Sequence, residues 1–195
     1  MNQSPHKNQL EFQHHWAEQI GGSIINVGCK EDPAGISECS DDVTNMDVLD
    51  YDGYLKTSIK HIKGYMQQDF LEWEPDRQYD TLVLGEVLEH CDDERFNEFL
   101  TCANKALKKD GAFIITCPQD NRPKEVQHDH PEQLFEVREG VTTWHQNYIT
   151  KEKLESALSS HGFKIELYET QMWLPEDNVF WHFVIARKEW CYDIN

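Results

Sequence analysis

No C-x-x-C pair occurs in the 195 residues: Cys29, Cys39, Cys91, Cys102, Cys117 and Cys191 stand singly. That spacing excludes a zinc ribbon or a dithiol redox motif and leaves reduced thiols as the expectation. Nothing approaches the roughly 20 consecutive apolar residues that cross a bilayer, and the opening MNQSPHKNQLEFQHHW lacks the apolar stretch of a secretory signal. A cytoplasmic chain with no membrane partner is expected. Basic residues are scarce, 18 Lys and Arg against 36 Asp and Glu, for a net charge of −18. A field of that sign repels phosphate backbones and disfavours nucleic acid as a partner. Apolar residues reach only 38%, but six Trp, seven Tyr and nine Phe supply bulk to bury, which argues against wholesale disorder. The length suits one core, and neither a repeat nor a linker divides it, so residues 1–195 are read as a single domain.

Short apolar runs bounded by turn residues alternate with longer charged stretches, the pattern of an α/β fold with a mostly parallel sheet and helices on both faces. Ser23 to Val27, left through Gly28, reads as the first strand, Val43 to Val48 as the second and Ile62 to Met66 as the third. Tyr79 to Gly85 has the continuous apolar character of a strand buried on both faces. Phe96, Phe99, Leu100, Ala103 and Leu107 recur at helical spacing from Asp92 to Leu107, and Ala112 to Cys117 forms a fifth strand that Pro118 is expected to end. Residues 118–148 show little periodicity and many His and aromatic residues, the profile of a substrate loop or lid. Thr150 caps a helix through Ser160, and strands at Phe163 to Tyr168 and Val179 to Ala186 form a terminal hairpin that closes the sheet edge. The first 20 residues read as a covering helix, with Phe12, Trp16 and Ile20 at four-residue steps.

A glycine turn after the first strand and an acid at the end of the second suit an adenosine ligand: backbone can approach at one point, and a carboxylate accepts the ribose hydroxyls at the other. Gly28 and Asp47 stand 19 positions apart, near the usual interval of about 20. Asp69 and Phe70 after the third strand could accept the adenine amine and stack on its ring. In Gly85-Glu86-Val87-Leu88-Glu89-His90, the acids and His90 sit at i, i+3 and i+4, so a helical turn would project all three to one side. Such a set suits a divalent cation; a helix start in which Glu86 receives a ligand ammonium is the alternative. The loop after the fifth strand offers His128, Asp129, His130 and His145, of which His145, just before the next helix, is the best candidate for a further ligand.

On these residues the chain resembles class I S-adenosylmethionine-dependent methyltransferases over nearly its whole length. INVGC resembles their first motif, YDTLVLGEVLEHCDD with LKKDGAFIITCPQ resembles the block from fourth to fifth strand, and HGFKIELYE resembles the sixth strand. The resemblance implies a Rossmann-like, seven-stranded sheet with an antiparallel C-terminal strand. It places S-adenosylmethionine against Asn26, Gly28, Cys29, Asp47, Asp69, Phe70, Gly85 and Glu86. Asn26 stands where an acid is usual, and Lys30, Glu31 and Asp32 stand where further glycines are usual. The Glu-x-x-Glu-His segment is similar to two metal-dependent groups, the small-RNA 3′-end ribose methyltransferases and those that methylate catechol intermediates of ubiquinone synthesis. It implies a divalent cation, Mg or similar, at Glu86, Glu89, His90 and His145.

Methyl transfer from a sulfonium is an in-line displacement in which alignment supplies much of the rate. The acceptor hydroxyl must lose a proton, helped by a cation or by His90 or His145 as base. The expected activity is O-methylation of a small hydroxylated acceptor. A catalytically inactive subunit of the same fold, and a ribose 2′-O-methyltransferase acting on RNA, are the alternatives.

Overall fold

Five runs of apolar residues pair side by side into the parallel half of one sheet. They are Ile24–Val27 (β1), Val43–Asp47 (β2), Tyr65–Gln67 (β3), Tyr79–Gly85 (β4) and Leu107–Gln119 (β5). Val141–Thr142 (β7) pairs with Glu136–Arg138 (β6) in a small separate ribbon. The hairpin of Phe163–Leu174 (β8) and Val179–Lys188 (β9) completes a seven-stranded sheet in the order β3-β2-β1-β4-β5-β9-β8. β9 inserts antiparallel between β5 and β8. The computed structural model describes residues 5–30, 32–48, 62–123, 126–127 and 136–189. Glu31, His128, Asp129, His130, Trp190 and Cys191 lie outside them.

Alternate strand residues face opposite sides, and both sides are covered. Ile25, Leu82, Leu84, Phe113 and Ile115 join one apolar cluster with Phe96, Phe99 and Leu100 of Asp93–Ala106 (α2) and Leu154 and Leu158 of Lys151–Ser160 (α3). Ile24, Val83, Ile114 and Ile185 join the other, with Ala17 of Pro5–Ile20 (α1) at its centre and Leu10, Phe12, Trp16 and Ile20 packed around it. Asp92 caps α2 by accepting from the Arg95 amide, and Thr150 caps α3 by accepting from that of Lys153. At the other end of α2, fully buried Lys188 donates to the carbonyls of Asn104 (2.6 Å) and Leu107 (2.7 Å), where the helix leaves acceptors open.

Two expectations are corrected. The third strand begins at Tyr65, because Gly64 takes a left-handed turn (φ 62°) just before it. Pro118 does not end β5, which runs on to Gln119. Pairing with β4 stops at Thr116, while Pro118 and Gln119 still pair with Trp181 and Phe180 of β9. With a neighbour on one side only, the strand tolerates a residue without an N–H.

Candidate functional site

From β1 the chain goes to β2 on one side, while β4 lies on the other, so the carboxyl ends of β1 and β4 form the crevice where open α/β sheets hold ligands. A cavity opens there, lined by Asn26, Gly28, Cys29 and Lys30 from the β1 side, Gly85 and Glu86 from the β4 side, and Leu10 and Gln13 of α1 as its roof. Gln13 pins that roof by donating to Thr116 Oγ1 at 2.7 Å, and a side chain at position 85 would collide with it. Gly28 has φ 69° and lies so close to Val87 that a Cβ would clash, so both its conformation and its space require glycine.

The loop after Gly28 does with other residues what glycines usually do. Lys30 (φ 47°) and Asp32 (φ 55°) occupy the left-handed region. Asp32 accepts from the amides of Ile36 (2.8 Å) and Ser37 (2.9 Å), which turns its charge onto its own loop. Asn26 donates to Asn45 Oδ1 at 2.9 Å, and Asn45 donates in turn to Ser37 and to the Lys63 carbonyl, so the amide in place of the usual acid ties β1 to β2 and to the loop. Asp47, 5% exposed at the end of β2, accepts from the Lys30 amide at 2.9 Å and so fixes the loop at the cavity rim. Burial and the neighbouring Asp47 and Asp32 push the Cys29 thiol far up, so it stays protonated. Asp69 accepts from the Leu71 amide at 2.9 Å. Phe70 is 3% exposed and its ring stacks on Phe99 and Trp73, which accounts for it as core rather than as the expected platform for adenine.

Beyond Gly85 the segment does not form the helical turn that would gather both acids with His90. Glu86 itself has φ 57°, a strained conformation for a residue with a Cβ, and only Leu88–His90 makes a short 3-10 turn. Glu86 therefore lines the cavity with Lys30, and its carboxyl is raised by burial. The group that does converge is Glu89, His90 and His145, whose ligand atoms all lie within 4.8 Å of one another. Of the four expected ligands, Glu86 lies outside this group.

Glu89 is 1% exposed, and neither carboxylate oxygen has a hydrogen-bond partner among the described residues. Burial and the Glu86 charge raise its pKa well above the usual range. His90 donates from Nδ1 to the Trp144 carbonyl (3.2 Å), which leaves Nε2 as its acceptor nitrogen, 3.8 Å from Glu89. The two chain segments are laced together: the Glu89 carbonyl accepts from the amides of Gln146 and Asn147, and the His90 carbonyl from the side chains of Thr142 and Gln146. That lacing brings His145, 55 positions later in the chain, to within 5.1 Å of the His90 ring centroid.

Sequence reasoning missed Gln13, Asp120, Arg122 and Gln127. Asp120 accepts from Arg122 through its amide (3.0 Å) and guanidinium (2.8 Å) and lies 3.2 Å from His145 Nδ1. Burial raises its carboxyl, but the hydrogen bonds from His145 and Arg122 more than offset this and hold it below the usual carboxylate range. Its position directly after β5, at the carboxyl edge of the sheet, was the one available signal.

The family described as "Methyltransferase domain" matches residues 10–168. The Homo sapiens protein named "Ubiquinone biosynthesis O-methyltransferase, mitochondrial" is 30% identical over 166 residues, 84% of this chain and 41% of that protein. The Bos taurus protein of the same name is 31% identical over 106 residues, 53% of this chain and 28% of that protein. The chain thus spans less than half the length of these curated relatives. Among solved structures, N-methyltransferase NodS from Bradyrhizobium japonicum WM9 in complex with S-adenosyl-l-homocysteine superposes with a TM-score of 0.64 at 12% identity, over 96% of this chain and 89% of that one. The Burkholderia thailandensis 1,6-didemethyltoxoflavin-N1-methyltransferase, with bound 1,6-didemethyltoxoflavin and S-adenosylhomocysteine, gives 0.65 at 13% identity, over 94% and 77%. At such identities the likeness is one of fold.

Proposed function

The chain belongs to the methyltransferase-domain family and carries the class I, S-adenosylmethionine-dependent fold, and from that premise we propose that it methylates a hydroxyl of a small hydroxylated acceptor, assisted by a divalent cation. The buried carboxylate of Glu89, without a hydrogen-bond partner among the described residues and beside two imidazoles, carries this reading. An acceptor-only group out of water is costly without a cation or a proton to meet it, so the residues fit a divalent ion. Glu89, His90 and His145 would hold it, with one carboxylate and two nitrogen donors of the kind that Mg, Mn or Zn accept. A bound ion would lower the pKa of the acceptor hydroxyl and fix its orientation.

In this reading the donor occupies the cavity at the β1 and β4 ends. Asp47 would accept from its ribose hydroxyls, Gly28 would let the backbone approach, and Glu86 would receive its ammonium. The acceptor oxygen attacks the methyl carbon in line, the carbon–sulfur bond breaks, and S-adenosylhomocysteine leaves as a neutral thioether. The hydroxyl proton passes to solvent or to an imidazole. Asp32 lines the cavity, and the amides of Ile36 and Ser37 that donate to it offset part of its repulsion of a methionine carboxylate, which favours the enzyme over an inactive subunit. The net charge of −18 favours a small acceptor over RNA.

Transfer of labelled methyl from S-adenosylmethionine to a panel of catechols and other polyhydroxylated small molecules tests the reading. Activity lost in chelator and restored by Mg or Mn is expected. Full activity in chelator would remove the cation, and transfer only to amines would remove the O-methylation.

A further inference from the structure

Beyond the lacing of its chain segment to Glu89 and His90, side chains hold His145 in the converging group. Gln127 grips its backbone from both sides, accepting from its amide (2.7 Å) and donating to its carbonyl (3.2 Å). The ring is held separately. Its Nδ1 lies 3.2 Å from Oδ2 of Asp120, whose side chain has no solvent exposure. Arg122 binds both Asp120 oxygens and lies over the Trp173 ring, so the carboxylate is held in place from behind.

An ionised carboxylate only accepts, so the nitrogen facing it must carry the ring proton. In a neutral imidazole the lone pair is then on Nε2. The His90 ring reaches the same state by a different route, through the Trp144 carbonyl. The His90 Nε2 lies 3.8 Å from Glu89, and a ring nitrogen of His145 lies within 4.8 Å of the ligand atoms of both. A buried carboxylate behind an imidazole raises its basicity and fixes its orientation, whether the ring serves an ion or receives a proton.

Resting on the cation reading above, we propose that Asp120 is a positioning residue: it sets the tautomer of His145 and aims Nε2 at the site shared with Glu89 and His90. It touches neither acceptor nor donor in this role. Arg122 in turn keeps Asp120 ionised and in place.

Long-range 1H–15N correlation spectra of the full chain, labelled with 15N-histidine and recorded in chelator in mildly alkaline buffer, read the tautomer without any ion. His145 is assigned by its loss in His145→Gln. The Nδ1–H form is expected in the wild type, and an Nε2–H form would overturn the proposal without needing a variant. In Asp120→Asn, which keeps shape and can donate to Nδ1, the His145 signal should move to the Nε2–H form. Titration of Mn²⁺ alone should show affinity weakened by about 10- to 100-fold. An unchanged tautomer, or a changed tautomer with unchanged ion affinity, would refute the role. If the wild type binds no Mn²⁺, the cation reading fails, while the tautomer switch still decides what Asp120 does to His145.

Discussion

On the proposed cation reading, Glu89 is a side chain suited to a ligand and costly to the fold without one. Its carboxylate is buried with no hydrogen-bond donor among the described residues, next to a second acid, and is held above its ordinary pKa. Glu89→Gln should therefore raise the stability of the protein in chelator, by about 1–3 kcal/mol, as read by urea unfolding. The same variant should abolish any stabilisation by added Mg or Mn, because a neutral amide is a poor ligand for a hard cation. A variant less stable than the wild type in chelator would mean that the carboxylate has a structural partner. At this scale the sequence was informative where spacing was short. Glu89 and His90 are neighbours, and His145 was singled out by its place before a helix. Glu86 was read both against the donor and with Glu89 and His90; that it departs from the latter group was not legible, because a left-handed φ cannot be read from a residue that ordinarily avoids it. Asp120 escaped notice because its meaning lies in a contact with a residue 25 positions away.

Among the elements, Asp80 joins three. It accepts from the amide (2.8 Å) and hydroxyl (2.7 Å) of Ser23, which leads into β1, and from Lys108 at the start of β5, while its own backbone belongs to β4. The Lys108 and Ser23 hydrogen bonds lower its pKa from 3.8 to about 2. A carboxyl whose pKa falls on folding binds fewer protons in the folded state, so its contribution is present above pH 3.8 and is lost as the pH falls through about 2. The side chain is 41% exposed, and screening reduces the effect at neutral pH to about 1 kcal/mol. Asp80→Asn should cost that much at pH 7 and only a small part of it at pH 2, compared by denaturant unfolding at the two values; an equal cost at both would assign the loss to packing. Elements of this kind were legible in outline. β4, α2 and the Thr150 cap lie where periodicity and capping residues put them, because burial on both faces or along one stripe leaves a direct mark. The length of β5 was not legible, since whether a proline ends a strand depends on which neighbours flank it.

For the molecule as a whole, the order of strands is what makes a site. The α/β class and the antiparallel hairpin could be read from alternation and from the C-terminal runs, whereas insertion of β9 between β5 and β8 is a long-range choice that local patterns do not encode. That order leaves β1 and β4 adjacent, with the cavity proposed for the donor at their carboxyl ends and α1 across it. It also sets the Glu89, His90 and His145 group directly beyond β4. Donor binding is the premise of the whole account, and calorimetric titration of the full chain with S-adenosylhomocysteine tests it most directly. One equivalent should bind with micromolar affinity, weakened about 10- to 100-fold in Asp47→Ala, the loss expected when charge-assisted hydrogen bonds to the ribose are removed. No heat of binding at millimolar ligand, or an affinity indifferent to Asp47, would contradict the account.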